Sequence, residues 1–88
     1  MTNYYGAIPE HMVRAIQDYL NLGAPLGSFL YAVFTNDFVN ACCKADDYNV
    51  TILPVYARYI YNECPCFSWG SPSIVGEWMS FKQGKSND

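Results

Sequence analysis

The residues best able to do chemistry in this chain are four cysteines and one histidine. Cys42 and Cys43 are adjacent, and Cys64 and Cys66 flank Pro65. Structural zinc is held by pairs spaced two to four residues apart, and the common redox motif has two intervening residues. Neither spacing occurs here. A cysteine or serine nucleophile needs a base beside it, and nothing in the sequence pairs His11 with one. The carboxylates form no acid/base dyad, and Asp46-Asp47 is more economically a helix cap. The thiols are therefore expected to be small apolar filler. The chain is expected to be a binder, not an enzyme, with no metal and no cofactor.

Two short motifs suit anion binding. Gly27-Ser28 and Gly70-Ser71-Pro72 each put a glycine and a serine at a predicted helix start. Backbone N–H groups, a hydroxyl and the helix dipole point outward there, which favours phosphate. The same residues also serve every helix as ordinary caps. Aromatics are in surplus: Tyr4, Tyr5, Tyr31, Tyr48, Tyr61 and Trp69 do not all fit on inner helix faces. Such rings stack on nucleobases, and they also populate protein interfaces.

Composition narrows the partners. The 88 residues are 51% hydrophobic and 17% aromatic but only 15% charged, against roughly 25% charged in ordinary globular chains. One domain spanning 1–88 fits this length. Part of its surface must be apolar, and a homo-oligomer would cover it. The net charge is −3, and Arg14, Lys44, Arg58, Lys82 and Lys85 are scattered. Long nucleic acids need many phosphates neutralised, so they are not expected partners. Met1–Ala7 is neutral and polar, unlike a secretory signal, and no apolar run approaches the ~20 residues a membrane helix needs. These features point to the cytoplasm and away from the membrane.

The elements that position these residues read as about four helices, an all-α compact bundle. An N-terminal segment, 1–8, precedes the first helix, which opens at Pro9, carries Met12, Ile16, Tyr19 and Leu20 at helical spacing, and ends at Gly23 before Pro25. The second helix starts with Ser28 as cap and runs to about Ala45, with Phe29, Leu30, Val33, Phe34, Phe38, Ala41 and Cys42 covering over half its circumference. Asp46 or Asp47 caps the third, whose stripe is Ile52, Val55, Tyr56, Tyr59 and Ile60. Pro54 removes a backbone hydrogen bond there, so either the regular helix begins near Thr51 or it continues with a kink. A short strand over Asn49–Leu53 is the rival, discounted because it has no partner strand. Ser71-Pro72 opens the fourth helix, whose inner face is Ile74, Val75, Trp78 and Met79. Residues 84–88 read as a frayed, flexible tail.

The run Pro9-Glu10-His11-Met12, then Tyr19-Leu20, Gly23, Pro25-x-Gly27-Ser28-Phe29-Leu30-x-Ala32-Val33 and Asn36-Asp37, resembles a widespread family of small phage proteins. So do Ala45-Asp46-Asp47 with Asn49, Tyr61-Asn62-Glu63-x-Pro65 and Trp69-Gly70-Ser71-Pro72. Together these cover roughly residues 8–80. The family resembled is the phage anti-CBASS sponge that sequesters cyclic oligonucleotide signals, in the version carried by a T4-like phage.

That resemblance implies a specific biology. In CBASS, a bacterial defence, a cGAS-like enzyme makes cyclic di- or trinucleotides such as 3′,3′-cGAMP that switch on a killing effector. The sponge binds the messenger in the host cytoplasm without cleaving it and so evades immunity. Family members are helical and assemble as hexamers. Cyclic dinucleotides lie between paired protomers, against the first helix and the turn after it. Carried over, that pocket would use Tyr4, Tyr5 and His11 with Leu26, Gly27 and Ser28. The family sets a tyrosine and a lysine against the dinucleotide; aligned on His11 and Leu26, both are replaced here. Stacking then falls to His11 or a nearby tyrosine, and phosphate contacts to Ser28 and backbone amides. A separate cyclic-trinucleotide pocket would use Ser68, Trp69, Gly70 and Ser71. The alternative expectation, from the low charge and surplus aromatics, is a phage interaction module that docks on a host protein and inhibits it.

Overall fold

A computed structural model describes residues 4–84, the side chain of Tyr4 excepted. The expected tail beyond Gly84 and the first three residues lie outside that span. A 3-10 turn at Tyr4–Ala7 leads into six helices: α1 Glu10–Leu22, α2 Ser28–Phe34, α3 Phe38–Lys44, α4 Asp47–Thr51, α5 Leu53–Glu63 and α6 Pro72–Lys82. No strand occurs among the described residues. The all-helical expectation holds, with six helices where about four were expected.

The two extra breaks have local causes. The expected second helix divides at Thr35–Asp37. Asn36 takes the left-handed conformation, φ 65°, and the Asp37 amide donates back to the Ala32 carbonyl at 2.9 Å while the Asn36 amide donates to Val33 at 3.2 Å. This is a Schellman ending with asparagine in the glycine position. Asp37 then caps α3, its carboxylate accepting from the Asn40 amide. The break re-aims the downstream residues. Phe29, Leu30, Phe34 and Ala41 stay in the core, but Phe38, expected inside, is 71% exposed.

The third expected helix divides at Ile52. Asp46 caps α4, accepting from the Asn49 amide at 2.7 Å. Pro54 falls in the first turn of α5, where no amide partner is missed. The proline therefore restarts the helix and does not kink it.

α1 begins one residue after Pro9 and ends in an αL turn on Gly23, φ 72°, whose amide donates to the Tyr19 carbonyl at 3.0 Å. A Cβ at Gly23 would stand 2.6 Å from the Met79 carbonyl oxygen, so the turn and the approach of α6 both require glycine. α1 packs against α6, α2 against α3 and α5, and the 3-10 turn against α5. Tyr19, Tyr56, Phe34, Ile16 and Val75 are the large side chains fully buried at the centre. Tyr19 meets Phe34, and Phe29 meets Tyr56, edge to face at 5.2 Å. Such pairs add about 0.5–1.5 kcal/mol each beyond burial. The tyrosine hydroxyls are satisfied within the core: Tyr19 donates to the Ser68 carbonyl and Tyr56 to Asn49 Oδ1, both at 2.7 Å.

Candidate functional site

The first concavity lies where α1 begins. It encloses about 730 Å³ and is lined by residues 5–10, Val13, Tyr48 and Tyr59. Three elements build it: the N-terminal segment forms one wall, α1 the floor, and the α4–α5 unit the facing wall. Its rings are Tyr5, Tyr48 and Tyr59. Tyr5 stands edge-on to Tyr59 at 5.2 Å, and Asn62 Nδ2 donates to the Tyr5 hydroxyl at 3.1 Å. Tyr48 is 51% exposed, and its hydroxyl donates across the cleft to the Ala7 carbonyl. Burial raises the Tyr59 hydroxyl above the usual tyrosine range; the hydrogen bond from Gln17 opposes the shift, and Cys64 and Glu63 add to it. It stays neutral at physiological pH.

The electrostatics of this cleft are mixed. Pro9 precedes α1 without any side-chain cap, so the positive end of the helix is open. Glu10 lines the same cleft, which disfavours an anion. Its carboxylate is turned into solvent and faces Arg14 at 3.7 Å, one helical turn on. An exposed pair of this kind is strongly screened.

A second concavity of about 510 Å³ lies between α2, α3 and α5, closed on one side by Trp69. Its walls are apolar: Val33, Ala41, Leu53, Ala57 and Ile60, with the exposed Phe38 and Val50 at its edge. Asn36 and Asp37 supply its polar groups. The Trp69 Nε1 hydrogen is shut away from solvent with no acceptor, and among the described residues it is the one buried side-chain polar atom left so. Groups of this kind are uncommon.

The sequence-derived candidates divide as follows. Tyr5 lines the first cleft, while the Tyr4 side chain is outside the described residues. His11 is exposed on the first turn of α1. Leu26 is half-buried against the core. Gly27 is the N-cap of α2 and Ser28 its first residue; no side chain caps this helix, so the capping role expected of Ser28 does not occur. Its hydroxyl is exposed. From His11 to Gly23 the rise along α1 is about 18 Å, and Leu26, Gly27 and Ser28 lie in the connection from the far end of α1 to the start of α2.

In the second candidate set, Ser68 is fully buried. Its hydroxyl donates to the Pro65 carbonyl at 2.6 Å and its own carbonyl takes the Tyr19 bond. Gly70, φ 134°, donates to the Phe34 carbonyl at 2.7 Å. Ser71 caps α6, its oxygen accepting from the Ile74 amide at 3.2 Å. Trp69 faces the second concavity and meets Tyr61 at 6.3 Å.

Tyr48 and Tyr59 were the rings that sequence reasoning did not place in a site. Tyr48 was visible as a surplus aromatic; Tyr59 was hidden within an amphipathic stripe. The cysteines are all free, with Cys64 buried and Cys43 and Cys66 exposed. Burial, then the neighbouring Glu63 charge, pushes the Cys64 thiol up to about 12, opposite to what a nucleophile needs. Among the described residues no three His, Cys, Asp or Glu side chains gather as a metal site, and no helix is long and apolar enough to cross a membrane. No protein-family model, curated protein or solved structure matches this chain.

Proposed function

We propose that this protein is a non-catalytic sponge for cyclic oligonucleotide messengers. It binds a cyclic dinucleotide such as 3′,3′-cGAMP, holds it intact, and keeps the CBASS effector from switching on in the cytoplasm of an infected bacterium. The observation that carries the proposal is the tyrosine-lined cleft at the uncapped start of α1. Nucleobases stack on aromatic faces for about 1–3 kcal/mol each, and phosphates favour helix N-termini. The motif resemblance over residues 8–80 supplies the ligand class.

Homo-oligomerisation, as a hexamer, completes the proposal. His11 lies on the first turn of α1 and the Gly27-Ser28 turn follows its last, an arrangement that suits a pocket taking one set from each of two protomers. Large apolar side chains left in solvent, among them Leu22, Phe38, Val39, Phe67 and Phe81, are candidates for burial between copies. Cyclic trinucleotides would use a second site beside Trp69, Gly70 and Ser71.

Isothermal titration with 3′,3′-cGAMP tests the proposal, with the ligand recovered after denaturation and analysed for cleavage. Heat of binding with intact ligand returned is the expected result. No heat, or linear products, overturns it. Sedimentation at micromolar concentration tests the assembly, and a 10.0 kDa monomer would remove the pockets between protomers.

The second concavity favours a different reading, a module that docks on a host protein through an apolar hollow edged by Phe38 and Val50. Stoichiometric capture of one host protein, together with no nucleotide affinity, would support it over the sponge.

A further inference from the structure

The N-terminal wall of the tyrosine cleft is attached differently from the rest of the fold. Ile8 closes the 3-10 turn by donating its amide to the Tyr5 carbonyl at 3.0 Å, a bond within the segment. Ties from the segment include the Tyr5 ring against Tyr59, Asn62 to the Tyr5 hydroxyl and Tyr48 to the Ala7 carbonyl, and Ile8 is buried in the core. At the other end, Pro9 joins the segment to α1 in an extended conformation, φ −56° and ψ 145°. A change of ψ there swings the whole turn without breaking a helical bond, lifting Ile8 from the core as it does so.

Tyr48 occupies a special place in this arrangement. Its ring lines one wall of the cleft and its hydroxyl holds the opposite wall. The core tyrosine bonds, Tyr19 to Ser68 and Tyr56 to Asn49, are buried, whereas the other side-chain bond that holds the segment, Asn62 to Tyr5, is exposed. The Tyr48 bond is exposed, where water competes for both partners and the net gain is small. Buried bonds suit permanent attachment, and an exposed one suits attachment that is made and broken.

We propose that residues 4–8 act as a strap hinged at Pro9, and that the Tyr48–Ala7 hydrogen bond is the latch that sets how often the strap opens to admit a ligand to the cleft. What the strap admits rests on the cleft being the nucleotide site; its opening does not.

Once detached from α4 and α5, a turn closed by a single hydrogen bond does not persist, so native-state exchange of the Ile8 amide reports the opening, and Tyr48→Phe removes the hydroxyl while keeping the ring. Loss of one exposed hydrogen bond predicts Ile8 exchange about fivefold faster in Tyr48→Phe, with the Tyr56 and Ile60 amides of α5 unchanged. Unchanged Ile8 exchange overturns the latch, as does acceleration shared by the α5 amides, which reports general loss of stability. In stopped-flow mixing with 3′,3′-cGAMP, association rises by the same factor if the open strap is the competent state. An unchanged association rate overturns the gating role. Absence of any nucleotide binding by the parent protein sinks the ligand assignment alone, and the Ile8 result still decides the strap.

Discussion

The Tyr19 hydroxyl donates to the Ser68 carbonyl at 2.7 Å across 49 residues of sequence, and both residues are fully buried. This bond ties the last turn of α1 to the loop before α6. Tyr19→Phe keeps the ring and its edge contact with Phe34 but leaves a buried carbonyl without this donor. The expected cost is about 1–3 kcal/mol, read in urea unfolding as a lower midpoint with an unchanged slope. A midpoint equal to the parent's would mean water replaces the hydroxyl at no cost.

The two Gly-Ser motifs are predicted to respond differently to alanine. Ser71 accepts from the Ile74 amide, so Ser71→Ala should lower stability by about 1 kcal/mol. Ser28 caps nothing, so Ser28→Ala should leave the unfolding midpoint where it is. A Cβ at Gly27 meets nothing within 4 Å, and Gly27→Asp supplies the missing cap. It should gain a few tenths of a kcal/mol. If phosphate binds at this turn, Gly27→Asp should also abolish nucleotide binding. Stability retained with affinity lost places Gly27-Ser28 at the ligand; affinity retained removes them from it.

Much of the fold was legible because its signals were local. Pro9, Gly23, Ser71 and Pro72 each act within one turn of the backbone, and each marks a helix end as expected. Gly23 and Asn36 both end their helices at positive φ, yet only the glycine reads as a stop. Asparagine pays more strain at positive φ and is less diagnostic. Phe34 and Phe38, four residues apart, made a continuous apolar face plausible across the break. The cleft was harder to read because its walls come from residues 5–9 and from Tyr48 and Tyr59. Only packing brings those together, and no spacing rule encodes it.

Alkaline pH should destabilise the fold in a defined window. The Cys64 thiol is raised from 9.0 to about 12 by burial and then by Glu63. The unfolded chain therefore loses this proton first, and stability present below about pH 9 is lost as pH rises toward 12. The slope is about 1.4 kcal/mol per pH unit for each such group. Tyr19 and Tyr56 are also raised, chiefly by burial, from 10.0, so they steepen the loss above pH 10. Urea midpoints measured from pH 8 to 10.5 should fall in the parent. In Cys64→Ala the fall should begin about one unit higher. Identical profiles for the two proteins would remove Cys64 as the first contributor.

Glu10 offers the cleanest separation of the two functional readings. It lines the tyrosine cleft, and its carboxylate is almost fully exposed, with Arg14 as its neighbour. Glu10→Gln should therefore change stability little, since exposed pairs contribute under about 1 kcal/mol. It removes a negative charge from the open end of α1 and releases Arg14 toward an incoming phosphate. A charge in the first turn of a helix is worth about 0.3–1 kcal/mol, so 3′,3′-cGAMP should bind about two- to fivefold more tightly. The gain should shrink as salt rises, because the effect acts through solvent. A partner docked in the hollow of α2, α3 and α5 has no such dependence on Glu10. Titration of the parent and Glu10→Gln at two salt concentrations decides between them: equal affinities at low salt would move the ligand away from the start of α1.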